Sequence, residues 1–246
     1  MAAPDQGQRG IKQRSNAVQS KPAPPITKRG RATRERLKQA LSDLLHDYPF
    51  HDIRLEDITT RAGVRVSLFY HYFQSKIDIT NELLSELLQA YRKDVSMHAK
   101  MAPLESIHYA NQRMVALYSA NPGAMRCLLE VHDSAAPFSL IWRKVTQEWN
   151  ERIANNMQRQ FPNAFANRQG YMAMAYALAG TADSLLYEYY VLKNPDLRAA
   201  YPEDEDLARF LTTLWHRTLY LKNPPIEFMD KGVDGLARLG AEDKHP

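Results

Sequence analysis

The chain has 246 residues, 44% of them apolar and 10% aromatic, enough for one large core or two small ones, with an ordinary 24% charged. Its single cysteine, Cys127, excludes an internal disulfide framework, and a reducing cytoplasm is the expected compartment. The net charge of +4 divides unevenly: residues 1–36 carry nine Lys/Arg against Asp5 and Glu35, so +7 sits at the front and −3 on the remainder, which points to a polyanion partner for the front alone.

Residues 1–32 are rich in Gln, Pro, Ser, Lys and Arg and poor in aliphatics. Such a segment cannot bury enough apolar surface to offset its ordering entropy, so it reads as a flexible basic arm. No apolar run follows it, so it is not read as a secretory signal. From Thr33 the pattern turns helical: Leu37, Ala40, Leu41, Leu44, Leu45 and Tyr48 recur at three- and four-residue steps until Pro49. Leu55–Ala62 predicts a short second helix, Gly63 a tight turn, and Val66–Tyr72 a third short helix. Ser75 can cap a fourth helix, with Ile79, Leu83, Leu87, Ala90 and Tyr91 along its stripe, reaching about Met101.

Helix continues through the rest of the chain, divided by proline and polar breaks. Pro103–Ala120 predicts one helix; Asn121-Pro122-Gly123 reads as a turn, and a short helix follows to His132. A helix from about Pro137 reaches Gln160, and another spans Asn167–Asn194 until Pro195. The acidic run Glu203–Asp206 suits a helix start, where the partial positive charge favours carboxylates, and that helix ends near Pro224-Pro225. The most apolar window, Tyr171–Leu192, is interrupted by Asp183 and Glu188 and reads as a buried helix, not a membrane span. No alternating strand pattern and no internal repeat is visible, so the fold class is all-α.

Residues 53–76 read IRLEDITTRAGVRVSLFYHYFQSK. A helix, a Gly turn and a second short helix form a helix-turn-helix. Ile58-Thr59, Ala62-Gly63-Val64, Phe69-Tyr70-His71-Tyr72-Phe73 and Ser75-Lys76 resemble, in order, the pattern of the tetracycline-repressor-like (TetR/AcrR) transcriptional regulators, over about Thr33–Leu84. Three positions depart from it. Arg54 stands where a capping Thr or Ser is usual, Leu68 where Thr is common, and Ile77 where an acidic residue follows Ser-Lys.

A recognition helix enters the major groove by its N-terminal end. There Arg65 and Ser67 can donate to base edges, Val66 and Leu68 can touch a thymine methyl, and Tyr70, His71 and Tyr72 can reach phosphates or edges. Lys76 in the first turn of the fourth helix could face a phosphate, and Arg54 could replace the lost phosphate contact of the cap. Lys28, Arg29, Arg31 and Arg34 are placed just before the first helix, where an extension could enter an adjacent minor groove. Phe69 and Phe73 read as core plugs.

The layout is then a basic arm over 1–32, a three-helix DNA-reading domain over 33–80, a helical dimerisation and ligand-binding domain over 81–225, and a weakly structured tail over 226–246. Ala173, Ala177, Gly180 and Ser184 form a stripe of small residues, and Leu207, Leu211, Leu214, Thr218 and Leu221 repeat at four- and three-residue steps. The two helices could build a four-helix homodimer seam, which the resemblance also implies; packing within one subunit is the alternative. A two-fold dimer predicts a palindromic operator on double-stranded DNA.

Tyr109, Met114, Tyr118, Cys127, His132, Phe138, Trp142, Trp149, Tyr176, Asp183 and Tyr187 place polar groups and aromatics inside apolar patterns, as small-molecule pockets do. The resemblance implies that an apolar or aromatic effector there would respace two reading heads and release a repressor. Ordinary core is the competing reading for each residue, and a dimer contact for Asp183. No metal-site, phosphate-loop or nucleophile-elbow motif is present in the sequence, and no cofactor or enzyme is expected. Activation instead of repression, ligand-independent binding, and a helical enzyme or lipid-binding module are the remaining alternatives.

Overall fold

The computed structural model describes residues 27–97, 101–130 and 136–229. Among them every regular element is helical: α1 (Lys28–Asp47), α2 (Leu55–Arg61), α3 (Val66–Phe69), α4 (Lys76–Met97), α5 (Pro103–Ala120), α6 (Pro122–Glu130), α7 (Ala136–Gln160), α8 (Arg168–Leu186), α9 (Pro195–Ala200) and α10 (Asp204–Tyr220). A π-helical segment, Tyr187–Val191, prolongs α8, and a 3-10 turn, Ile226–Phe228, follows α10. The fold is all-α, with an N-terminal helix-turn-helix and a larger C-terminal helical body. No helix of the described residues is long and apolar enough to cross a membrane.

Side-chain capping sets the helix starts. Thr27 Oγ1 accepts the Gly30 N–H at 3.0 Å, so α1 begins at Lys28 and takes in the last residues expected in the arm. Its first turn is polar and carries no apolar period, which is why the sequence pattern begins only at Thr33. Ser75 caps α4: its Oγ accepts the Asp78 N–H at 3.1 Å, and the Asp78 carboxylate accepts the Gln74 N–H at 3.1 Å. At α2, Arg54 offers no acceptor, but Asp57 Oδ2 returns to accept the Arg54 N–H at 2.7 Å, half of a capping box. Pro122 and Gly123, expected in a turn, open α6 instead. Proline is suited to the first helical position, and the break narrows to Asn121, whose N–H donates to Leu117 O.

One core cluster runs from Leu37, Leu41 and Leu45 of α1 through Phe69 and Phe73 to Tyr118, Leu186 and Leu211. A smaller cluster, with Ala154, Met157, Tyr171, Ala175 and Leu178, holds α7 against α8. The helix-turn-helix is tied to the body at two places. Arg34 forks onto Glu82 (2.8 Å from Nε) and Lys38 reaches Glu86 (2.6 Å), fixing α1 to α4. The N-terminal turn of α6 lies directly on the end of α1: Arg126 Nη2 donates to Leu45 O at 2.7 Å, and a Cβ at Gly123 would stand 2.0 Å from that same oxygen.

Candidate nucleic-acid interface and body cavity

Phe69 and Phe73 are fully buried with ring centroids 5.6 Å apart, and they anchor the reading head from below. Gly63, at φ +63°, makes the turn between α2 and α3 in the left-handed region that favours glycine. This leaves Arg65, Ser67, Leu68, Tyr70 and His71 exposed, with Val66 and Tyr72 half-buried. Tyr70 is 55% exposed, held edge-on to Phe69 with centroids 5.6 Å apart, so a rigid ring presents its hydroxyl outward.

A groove runs between this surface and the start of α1. Arg29, Thr33 and Arg36 line one wall and Arg65, Ser67, Leu68 and Tyr72 the other. Arg36 was missed as a site residue by sequence reasoning, although its seven-residue spacing from Arg29 puts both on one helix face. Among the described residues no carboxylate pairs with the guanidinium groups of Arg29, Arg36, Arg54 or Arg65. In the groove, the three guanidinium groups of Arg29, Arg36 and Arg65 beside the Ser67 hydroxyl form a surface able to bind a polyanion. Lys28 and Arg31 are exposed on the same first turns of α1. Residues 1–26 of the arm lie outside the described residues.

Two expected DNA contacts are internal. Arg34 is 8% exposed: Nη1 donates to Tyr72 O at 2.7 Å, the fork takes Glu82, and the guanidinium lies 4.3 Å above the Phe73 ring. The Lys76 ammonium donates to Phe50 O at 2.8 Å and Ile53 O at 2.6 Å and lies 4.2 Å from the Phe50 ring centroid. Burial pulls its pKa down, opposed by nearby negative groups. Both cations hold the reading head together rather than face a phosphate.

In the body, a cavity of about 350 Å³ lies among α4, α5, α7, α8 and α10. Of the expected effector residues, Met114 and Trp149 line it. Tyr118 is fully buried and donates to Asp183 Oδ1 at 3.2 Å. Burial pushes the Asp183 carboxyl up to about 6, while the Tyr118 hydrogen bond opposes the rise. Tyr109 donates to Asp94 Oδ1 at 2.9 Å, Cys127 is buried in the main core, and Tyr187 packs on that core at the start of the π segment. Tyr176 is 46% exposed on the outer face of α8, away from the cavity lining. His132 lies outside the described residues, as do the side chains of Phe138 and Trp142. The sequence reading missed Tyr91, Arg152 and Trp215 in the lining: Tyr91 reads as part of the α4 stripe, and local periodicity does not bring Arg152 and Trp215, on two different helices, to one cavity.

The expected dimer residues divide. Ala173, Ala177, Gly180 and Ser184 are all exposed on α8, as are Thr218 and Leu221 at the end of α10, with Leu214 half-buried. Leu207 and Leu211 are fully buried within the protomer, because the N-terminal half of α10 packs along α5. These two leucines are core, not seam.

Residues 39–83 match the family model of bacterial regulatory proteins, tetR family. The HTH-type transcriptional regulator BetI of Klebsiella pneumoniae (strain 342) is 28% identical over 206 residues, covering 78% of this chain and 95% of that protein. BetI of Escherichia coli (strain HS) is 27% identical over 194 residues, 73% of this chain and 89% of that protein. A putative TetR-family regulator from Syntrophomonas wolfei superposes with a TM-score of 0.62 at 19% identity, over 80% of this chain and 98% of that one. The regulator FadR of Bacillus subtilis, solved with stearoyl-CoA, gives 0.54 at 16% identity, over 73% and 97%. The anchored reading head, the unpaired guanidinium groups around it and these matches agree: the chain is a TetR-like, DNA-binding transcriptional regulator.

Proposed function

We propose that the protein is a cytoplasmic repressor that binds a palindromic operator as a homodimer and is released by a small molecule held in the body cavity. Residues 33–80, with the first turns of α1, form the reading head, and residues 81–225 dimerise and sense. The observation that carries the DNA reading is the groove in which Arg29, Arg36 and Arg65 stand without carboxylate partners beside exposed Ser67. Cations held unpaired on a rigid frame are ready to neutralise phosphate.

The dimer reading is supported by α8 and the end of α10. The α8 stripe is exposed and small, and a Cβ at Gly180 would meet nothing within 4 Å in the protomer. Leu221 closes α10 at φ 55° and is 90% exposed, so an apolar side chain stands in the left-handed region and in water. A second copy covering it would take that apolar side chain out of water. The effector reading is supported by the cavity's size, at the low end of the ~300–1,000 Å³ usual for small-molecule sites.

Selection of bound sequences from random DNA at physiological salt tests the proposal. An enriched inverted repeat is expected, with half-sites about one helical turn or a multiple apart. An unrepeated site would remove the dimeric operator, and no enrichment would remove sequence-specific repression.

A further inference from the structure

The wall of the body cavity carries donors without acceptors. Tyr91 is 9% exposed, and its hydroxyl is buried with no hydrogen-bond partner. Trp215 Nε1 is likewise buried and unpartnered. Arg152 is half-buried, its guanidinium 5.7 Å from the Trp149 ring centroid, and among the described residues no carboxylate pairs with it. All three residues line the same cavity, and the lining contains no Asp or Glu. Asp94 and Asp183, the nearby carboxylates, are outside the lining and accept from Tyr109 and Tyr118.

A buried polar group without a partner is costly, and an indole N–H can only donate. A guanidinium also only donates and carries a fixed charge. A wholly apolar occupant would leave these groups unsatisfied. A cationic occupant would face Arg152, and Arg159 at the rim, with no carboxylate in the wall to offset either. The rest of the lining mixes the neutral polar side chains of Ser106, Asn111 and Gln160 with an aliphatic wall that includes Val95, Ile107 and Leu219.

We propose that the cavity binds a small amphipathic organic anion, its acid group received by the donors of Arg152, Tyr91 and Trp215 and its apolar body lying against the aliphatic wall. This rests on the reading of the cavity as the effector site. A charge-assisted pair to a carboxylate in a half-buried setting is stronger than a neutral hydrogen bond, so the acid is preferred over its uncharged isostere.

The test uses the full chain and three matched probes: 3-phenylpropionate, its amide, and 3-phenylpropyltrimethylammonium, with octanoate as a non-aromatic acid. Trp149 and Trp215 line the cavity, so tryptophan fluorescence reports occupancy directly. The carboxylate is expected to bind about tenfold or more tighter than the amide. Arg152→Gln should abolish that preference without weakening the amide, Arg152→Lys should restore part of it, and Tyr91→Phe should weaken the acids severalfold. Far-UV circular dichroism checks that each variant is folded. Amide or ammonium binding as tight as the acid, or an undiminished acid preference in Arg152→Gln, overturns the anion assignment while leaving the cavity a ligand site. Failure of all four probes to bind overturns the effector-site reading together with it.

Discussion

Lys76 and Arg65 are both cations of the reading head, and their surroundings give them opposite roles. The Lys76 ammonium donates to two main-chain carbonyls, Phe50 O and Ile53 O, that close the loop before α2. Lys76→Met leaves both acceptors without that donor, and hydrogen bonds to a charged group contribute about 1.5–3 kcal/mol. The variant should melt several degrees lower, with the salt dependence of DNA binding unchanged. A flatter salt slope at unchanged melting temperature would return Lys76 to the phosphate interface. Arg65→Ala should do the reverse: its exposed side chain supports no core, so stability holds while operator affinity drops, by about 1–3 kcal/mol where a bidentate base contact is lost. Gel shift and thermal melting on the same samples separate the two classes.

Asp183 makes a pH-dependent contribution. Its carboxyl is pushed up to about 6 by burial, whereas an unfolded aspartate titrates near 3.9. Between those values the folded chain holds a proton that the unfolded chain has lost, so stability falls as pH rises through the window and stays lower above it. Asp183→Asn keeps an acceptor for the Tyr118 hydroxyl without the charge. The variant should melt higher than the natural chain at about pH 7, and the gap should close as pH falls toward 4. A gap that persists at low pH would mean the gain comes from packing rather than from the carboxylate.

At the scale of elements, two glycines show how differently close backbone geometry is achieved. Gly63 is needed for its dihedral alone: φ is +63° and a Cβ would meet nothing within 4 Å. Gly63→Ala should cost about 1–2 kcal/mol, the left-handed penalty. Gly123 is needed for space, because its Cβ would fall 2.0 Å from Leu45 O, a main-chain atom that cannot rotate away. Gly123→Ala must part α6 from α1, and it should cost more than the roughly 1–3 kcal/mol of ordinary overpacking. Urea midpoints give the order; equal losses would show that α6 does not rest on the α1 backbone. The sequence made the long helices legible because each carries an apolar stripe, and α5 runs over Pro103–Ala120 as its pattern predicts. It hid α9, where Pro195 reads as a stop but stands at the first helical turn behind Asn194, whose side chain accepts from Asp196 N at 3.1 Å and Leu197 N at 3.4 Å. It hid the internal roles of Arg34 and Lys76 for another reason. Their partners lie 48 and 26 residues away along the chain, a distance over which local periodicity carries no information.

For the whole molecule, the α8 stripe separates what one protomer needs from what a pair needs. Gly180 lies inside a helix, has no unusual φ, and faces open space in the protomer. An alanine there costs nothing in packing and removes the helix-interior penalty of glycine, about 0.8–1.0 kcal/mol. Considered as a single chain, Gly180→Ala is therefore stabilising, and a larger exposed residue is tolerated. In a seam built on close helix approach, the added methyl meets the partner's helix, and a leucine meets it harder. Opposite signs follow for the two states: Gly180→Leu should leave the protomer folded while shifting the dimer to monomer in sedimentation, and operator affinity should fall because one reading head cannot span two half-sites. Alanine should give the same direction at smaller size. A Gly180→Leu protein that remains a dimer and binds its operator normally would move the seam off α8.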